Sequence, residues 1–311
     1  MTAAQPDDEA DVDVFEETGA SEASIPPPRW VALPPAGMLS IADADSLLRW
    51  REASLVAIVG ERNGGKTTLA TELYERFLRG PFAEVVFSHS LSLLGFEQKS
   101  FQSRAESRGT KPDTPRTSTQ DGLNFFHLAV SDQDDLQRTD LLISERAGEA
   151  YREVRDRPAM AMELVEIRKA STVTFILDGE RLADGRRRAE AIASVRNIAR
   201  AFTDAGAVAP EAEVQLVTTK CDLLPTGSAA AALDALAALE QRFVASYSGR
   251  FAAATTFRIA ARDPEGKIEP GEGLAPLLRS WLKPPMRPHL EPPRLPPLID
   301  EFDRLLLRRR N

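Results

Sequence analysis

The chain is poor in the residues that build metal and redox centres. One cysteine, Cys221, in 311 residues excludes an intramolecular disulfide and a zinc knuckle. The three histidines, His89, His127 and His289, are too scattered to read as a metal cluster, so packing or surface roles are expected for them. No apolar run approaches the ~20 residues of a membrane span. Residues 1–28 contain no Lys or Arg, which removes the basic start of a secretory signal; a reducing cytoplasm is the expected setting. Those same residues carry eight acids, and the rest of the chain holds 39 charges of each sign. It therefore lacks the basic excess that would attract nucleic acid or anionic lipid.

The remaining composition, 42% hydrophobic and 28% charged, is that of an ordinary globular protein. Residues 1–27 are acidic, poor in aromatics and end in IPPP. They cannot bury enough surface to offset ordering entropy, so a disordered tail is expected. Residues 39–53 read as a short amphipathic helix. From Ser54 onward, strand-like and helix-like segments alternate. Strands are expected at 54–60, 123–130, 140–145, 171–178, 214–220 and 255–261, with a possible extra one at 84–89. Helices are expected at 66–80, 149–169, 185–205, 228–247 and 273–282. This order predicts an α/β fold of three layers around a mostly parallel, doubly wound sheet of six strands. Polar residues 90–122 read as a long mobile loop. Seven prolines in 284–297 predict an extended segment, followed by a short helix with an Ile299, Phe302, Leu305, Leu306 stripe. The expected division is a tail (1–27), a nucleotide-binding domain (39–282) and a C-terminal extension (283–311).

Gly60–Thr67, GERNGGKT, fits the phosphate-loop pattern G-x-x-x-x-G-K-[ST] between an apolar strand and a helix. Gly60, Asn63, Gly64, Gly65 and Thr68 belong to a loop whose backbone N–H groups can close around a β-phosphate. Lys66 reaches the β and γ oxygens, and the Thr67 hydroxyl suits Mg2+. Thr219-Lys220-Cys221-Asp222 follows a later strand and matches [NT]-K-x-D. Asp222 can accept two hydrogen bonds from the ring N–H and amine of guanine, whereas adenine would leave the carboxylate unpaired. Lys220 would lay its alkyl stem on the base.

With both motifs in this order, residues 50–282 resemble the Ras-like, translation-factor-related P-loop GTPases. The resemblance implies GTP or GDP and Mg2+ as cofactors. It also implies that Ala260 or Ala261, in RIAARD, meets the guanine carbonyl oxygen. The family's D-x-x-G motif corresponds to LLISERAGEAY, with Glu145 where Asp is usual and Gly148 facing the γ-phosphate. Glu149 stands where a water-orienting Gln is usual and can orient water or act as a base, although its charge opposes the γ-phosphate. A metal-binding threonine is implied before the strand at 123; Thr114, Thr117 and Thr119 fit by spacing, and Thr117, beside Arg116, is preferred. Arg62 occupies a position that is usually small, either as a cis arginine or as an obstruction to the catalytic water. Asp178 is expected to cap a turn.

The long first-switch region, the A-G-E ending and TKxD together are similar to the bacterial double-GTPase family of conflict or defence systems. That likeness implies a GTP-operated switch signalling to a protein effector or a sister GTPase. Two alternatives stand beside it: a GTP-binding scaffold that hydrolyses negligibly, and a ring-forming P-loop ATPase, against which TKCD argues.

Overall fold

The computed structural model describes residues 36–107, 122–224, 230–261 and 271–286. Seven strands form one sheet: β1 (Ser54–Val59), β2 (Val85–His89), β3 (Leu123–Asp132), β4 (Arg138–Arg146), β5 (Thr172–Asp178), β6 (Glu213–Thr219) and β7 (Ala253–Arg258). Their order is β2-β3-β4-β1-β5-β6-β7. β4, β1, β5, β6 and β7 run parallel, while β2 and β3 are antiparallel additions at one edge.

The interior strands are apolar on both faces, as a parallel sheet between two helical layers requires. The two-residue period of β1 divides it cleanly: Val56 and Ile58 point to one core, and Leu55, Ala57 and Val59 to the other. The first core is covered by α2 (Lys66–Phe77) and α9 (Leu274–Trp281), through Leu69, Leu73, Leu277 and Trp281. The second lies under α4 (Gly148–Asp156), α7 (Arg188–Asp204) and α8 (Ala230–Tyr247), through Tyr151, Val154, Phe202, Leu236 and Phe243. β1 sits between β4 and β5, where the winding changes direction. Loops leaving the carboxyl ends of strands at such a point diverge and open a ligand crevice.

The expected three-layer, doubly wound architecture is present, with corrections. The sheet has seven strands rather than six, because the possible extra strand at 84–89 is present, as the antiparallel edge Val85–His89. Residues 93–107 form a helix, α3 (Leu93–Ser107), where a loop was expected through 122. Among its described side chains the apolar anchor is Phe96, which stacks between Tyr74 and Phe126, with centroids 5.0 and 4.5 Å away. One buried aromatic in a polar stretch leaves no periodic pattern. The expected helix over 149–169 is three pieces, α4, a 3-10 turn (Pro158–Glu163) and α5 (Val165–Lys169). Pro158 has no N–H to continue α4. Ahead of α7 stands a separate short helix, α6 (Gly179–Ala183), capped by Asp178, whose Oδ1 accepts the Glu180 N–H at 3.1 Å. The lead-in helix is α1 (Ile41–Trp50), closed by a reciprocal Ser40–Asp43 capping box. The acidic tail 1–27, Thr114, Thr117, Thr119 and the stripe at 299–306 lie outside the described residues.

One histidine has a structural role of some consequence. His127, fully buried on β3, accepts the Leu91 N–H on Nδ1 at 2.9 Å. Its proton is therefore on Nε2, which donates to Asp140 Oδ1 at 3.0 Å, while Arg138 grips the same carboxylate. Burial lowers the His127 pKa, against the opposing pull of Asp140. The unfolded chain then takes up a proton near the ordinary value of about 6.5 before the folded one does, so stability is full above that pH and is lost below it. Chemical denaturation at about pH 7.5 and about pH 5.5 should show a drop in wild type. His127→Gln, which retains an acceptor and a donor, should show a smaller one.

Candidate nucleotide site

β1 ends at Val59 and the chain turns back over it through residues 60–65 into α2. The turn needs two left-handed residues, Asn63 (φ 62°) and Gly65 (φ 88°). Asn tolerates that region better than most side chains, and Gly occupies it without strain. Lys66, at the start of α2, is buried with its ammonium inside the turn, where Nζ donates to the carbonyls of Gly60 at 2.9 Å and Glu61 at 3.1 Å. Burial pushes its pKa down, against the pull of Glu145, Glu149 and Glu61. Arg62 and Asn63 stand exposed at the loop's crest.

Thr67 and Glu145 meet directly. The Thr67 hydroxyl donates to Glu145 Oε1 at 2.6 Å, and the carboxylate, at the end of β4, is 1% exposed. The extra methylene of Glu relative to Asp is absorbed without displacing the carboxylate from this hydroxyl. A hydroxyl and a carboxylate side by side are a hard-oxygen donor pair of the type Mg2+ takes, so the residues present fit that ion. Gly148 opens α4 hard against the loop. A Cβ there would lie 2.4 Å from the Arg62 nitrogen and 2.5 Å from the Glu61 carbonyl carbon, a space only glycine leaves. Glu149 follows on the first turn of α4.

The second motif reaches the same place from β6. Thr219, the last residue of that strand, donates its hydroxyl to the Gly64 carbonyl at 2.8 Å, joining the two loops. Lys220 is left-handed (φ 52°), and its ammonium lies 3.1 Å from Asp178 and 2.8 Å from Glu180. Burial alone would lower its pKa, but these carboxylates hold it above the ordinary lysine value. Asp222 is buried in the 3-10 turn Cys221–Leu223. The Cys221 thiol beside it is pushed up to about 12 by burial, so it is not a reactive thiolate. Ala260 and Ala261 lie just beyond β7; the Ala260 N–H already donates to the Glu272 carbonyl at 3.0 Å.

A family model described as Double-GTPase 2 matches residues 54–282. The chain belongs to the double-GTPase 2 family. No curated protein matches it. Three solved structures that the chain resembles are remote from it in sequence. The Methanosarcina barkeri Roco2 RocCORdC bound to GDP is 14% identical, over 75% of this chain and 49% of that one, with a TM-score of 0.35. The chain thus spans about half the length of that structure. The Sar1-type GTP-binding protein of Encephalitozoon cuniculi, in complex with GDP, is 14% identical over 74% and 78%, with a TM-score of 0.34. The Ski7 GTPase-like domain of S. cerevisiae, bound to GTP, is 13% identical over 78% and 53%, with a TM-score of 0.37.

Sequence reasoning passed over a second set of residues in this double-GTPase. Glu61, inside the phosphate loop, pairs with Arg155 of α4 at 2.8 Å and with Arg181 of α6. Arg155 also donates to Ser194 of α7 at 3.2 Å, and Arg181 lies 3.1 Å from Glu190. Burial alone would raise the Glu61 pKa; Arg181, a hydrogen bond from Ser194, and Arg155 together outweigh it and hold the carboxyl below its ordinary value. The only hint in the sequence was an acid at x1 of the loop, and its partners are over ninety positions away. Glu61→Ala should lower unfolding stability by about 2 kcal/mol, because two half-buried guanidinium groups lose their shared acceptor. Arg155→Ala should then cost much less in that background than alone, measured as a double-mutant cycle in urea; independent costs would show that the pairs contribute nothing.

Proposed function

We propose that this chain binds guanine nucleotide with Mg2+ through residues 39–282 and hydrolyses GTP as a molecular switch. The observation that carries the reading is the Thr219 hydroxyl on the Gly64 carbonyl. It ties the loop that presents Asp222 to the loop that presents Lys66, so one ligand with a base and a polyphosphate spans both. Asp222 takes the guanine N–H groups, Lys220 lies along the ring, and Ala261 supplies the N–H to the guanine oxygen, since that of Ala260 is occupied. Adenine offers the reverse donor pattern and would leave the Asp222 carboxylate unsatisfied.

At the other end, the Gly60, Asn63, Gly64, Gly65 and Thr68 backbone surrounds the phosphates, and Lys66 exchanges its carbonyl partners for phosphate oxygens. Thr67 and Glu145 are the residues that would hold Mg2+, which supplies charge neutralisation between the β- and γ-phosphates. Gly148 offers its N–H toward the γ-phosphate. Glu149, beside it, orients water by accepting a hydrogen bond, and Arg62 at the crest offsets the negative charge that develops. Glu61 makes the reading a switch. Its side chain holds α4 through Arg155, so any movement of the phosphate loop on gaining or losing the γ-phosphate is passed to that helix. A switch needs a reader, and we propose a protein effector or sister GTPase, in a cytoplasmic conflict or defence setting, as the family resemblance implies.

A second reading has its own support. Glu149 lies close enough to Lys66 to pull on its ammonium, and a carboxylate there repels the γ-phosphate. The chain would then be a scaffold that binds GTP and hydrolyses it negligibly.

Calorimetry with Mg2+ should give saturable binding of GTP and GDP, and ATP at least roughly a hundredfold weaker, from the two hydrogen bonds at stake. Asp222→Asn should weaken guanine binding by at least roughly tenfold. Equal affinity for ATP and GTP would sink the guanine assignment. Phosphate release in a single turnover then separates switch from scaffold: the switch requires release that falls in Glu149→Ala, and no release at all leaves the scaffold.

A further inference from the structure

A cavity of about 500 Å3 lies between α7 and α8, on the sheet face they cover. Its floor is apolar, with Leu216 of β6, Val195 of α7, and Leu239 and Phe243 of α8. A space of this size suits one small organic molecule, and such a floor takes a chain or a ring. The rim has a different character. Arg196, Arg200, Arg242 and Arg250 surround it, and among the described lining residues Asp204 is the sole acid.

That single carboxylate is shared: Arg200 Nε is 3.7 Å from it and Arg250 Nη2 is 3.4 Å from it. Arg242 donates to the Ala238 carbonyl at 3.2 Å, and Arg196 has no ion-pair partner among the described residues. Four positive charges against one negative, over a desolvated floor, focus a positive potential into the opening. The composition does not explain it, because the whole chain is formally -8.

We propose that this cavity binds a small anionic amphiphile, a single apolar chain or ring with one carboxylate, sulfonate or phosphate head. The apolar part lies on Leu239 and Phe243, and the head sits among Arg196, Arg200 and Arg242. An inorganic anion would leave the apolar floor unused, and a neutral apolar molecule would leave the arginines unused. The site is separate from the nucleotide. On α7, Asp204 lies about 15 Å beyond Ser194, the residue that meets Arg155 near the phosphate loop. A ligand there nonetheless touches the helix that borders that loop.

The test is calorimetry on the full chain with laurate as probe, below its aggregation concentration, beside dodecyl maltoside as the neutral control. Laurate should bind saturably at one site per chain. Arg196→Glu/Arg242→Glu, two exposed positions whose exchange leaves the core intact, should weaken it by at least roughly tenfold, and the maltoside should bind weaker than laurate by a similar factor. Laurate that does not saturate, or binds the double variant as tightly, or is matched by the maltoside, overturns the proposal. So does a synthetic acidic amphipathic peptide that binds at these arginines when laurate does not. None of these readings needs nucleotide, so they stand apart from the fate of the GTPase assignment.

Discussion

A buried ammonium must be enclosed by carbonyl dipoles or carboxylates, and Lys66 imposes that requirement on everything around it. The carbonyls of Gly60 and Glu61 can reach it only if the chain folds back directly after β1, through left-handed residues at 63 and 65. A strand that ends beneath such a turn has neighbours on both sides, which is the central place β1 takes between β4 and β5. The carboxylate of Glu145 arrives from β4 to meet Thr67 and the Thr219 hydroxyl from β6 to meet the Gly64 carbonyl, so three strand ends converge on one loop. The two helical layers hold this convergence in place by burying both faces of the sheet.

Charge cancels across two neighbouring groups taken together, one with an acid in excess and one with a base in excess. Near Lys66 stand Glu145 and Glu149; further out, Glu61 faces Arg155 and Arg181. The site is therefore densely ionic while few of its charges are exposed. Removing one member of such a set strands its partner in a poorly solvated place, which costs more than the pair itself contributes. The arginine rim between α7 and α8 is the opposite case, with cations in excess and little to offset them.

Much of this was legible in the sequence, for identifiable reasons. GERNGGKT is local, so spacing alone placed Lys66 and Thr67, and the apolar runs of β1, β5 and β6 announced strands buried on two faces. Glu145 could be placed because it ends such a run, although only the structure shows it reaching Thr67. What escaped notice depends on distant partners or single anchors. α3 hangs on Phe96, whose stacking partners come from α2 and β3. β2 was legible only as a possible strand at 84–89, because it is a short, half-exposed edge strand and edge strands have weak periodicity. The Glu61 pairs join a loop to two distant helices, and no reading of neighbouring positions finds them. Pro158, by contrast, was visible throughout and should have divided the helix.

Glu61 serves through its backbone and its side chain at once, and this constrains how the protein can drift. Exchange for a small residue keeps the carbonyl for Lys66 but abandons two guanidinium groups. Such a change costs least where Arg155 and Arg181 have also been replaced by uncharged residues. The three positions are thus coupled, and a path of single substitutions that begins at the loop passes through a less stable intermediate.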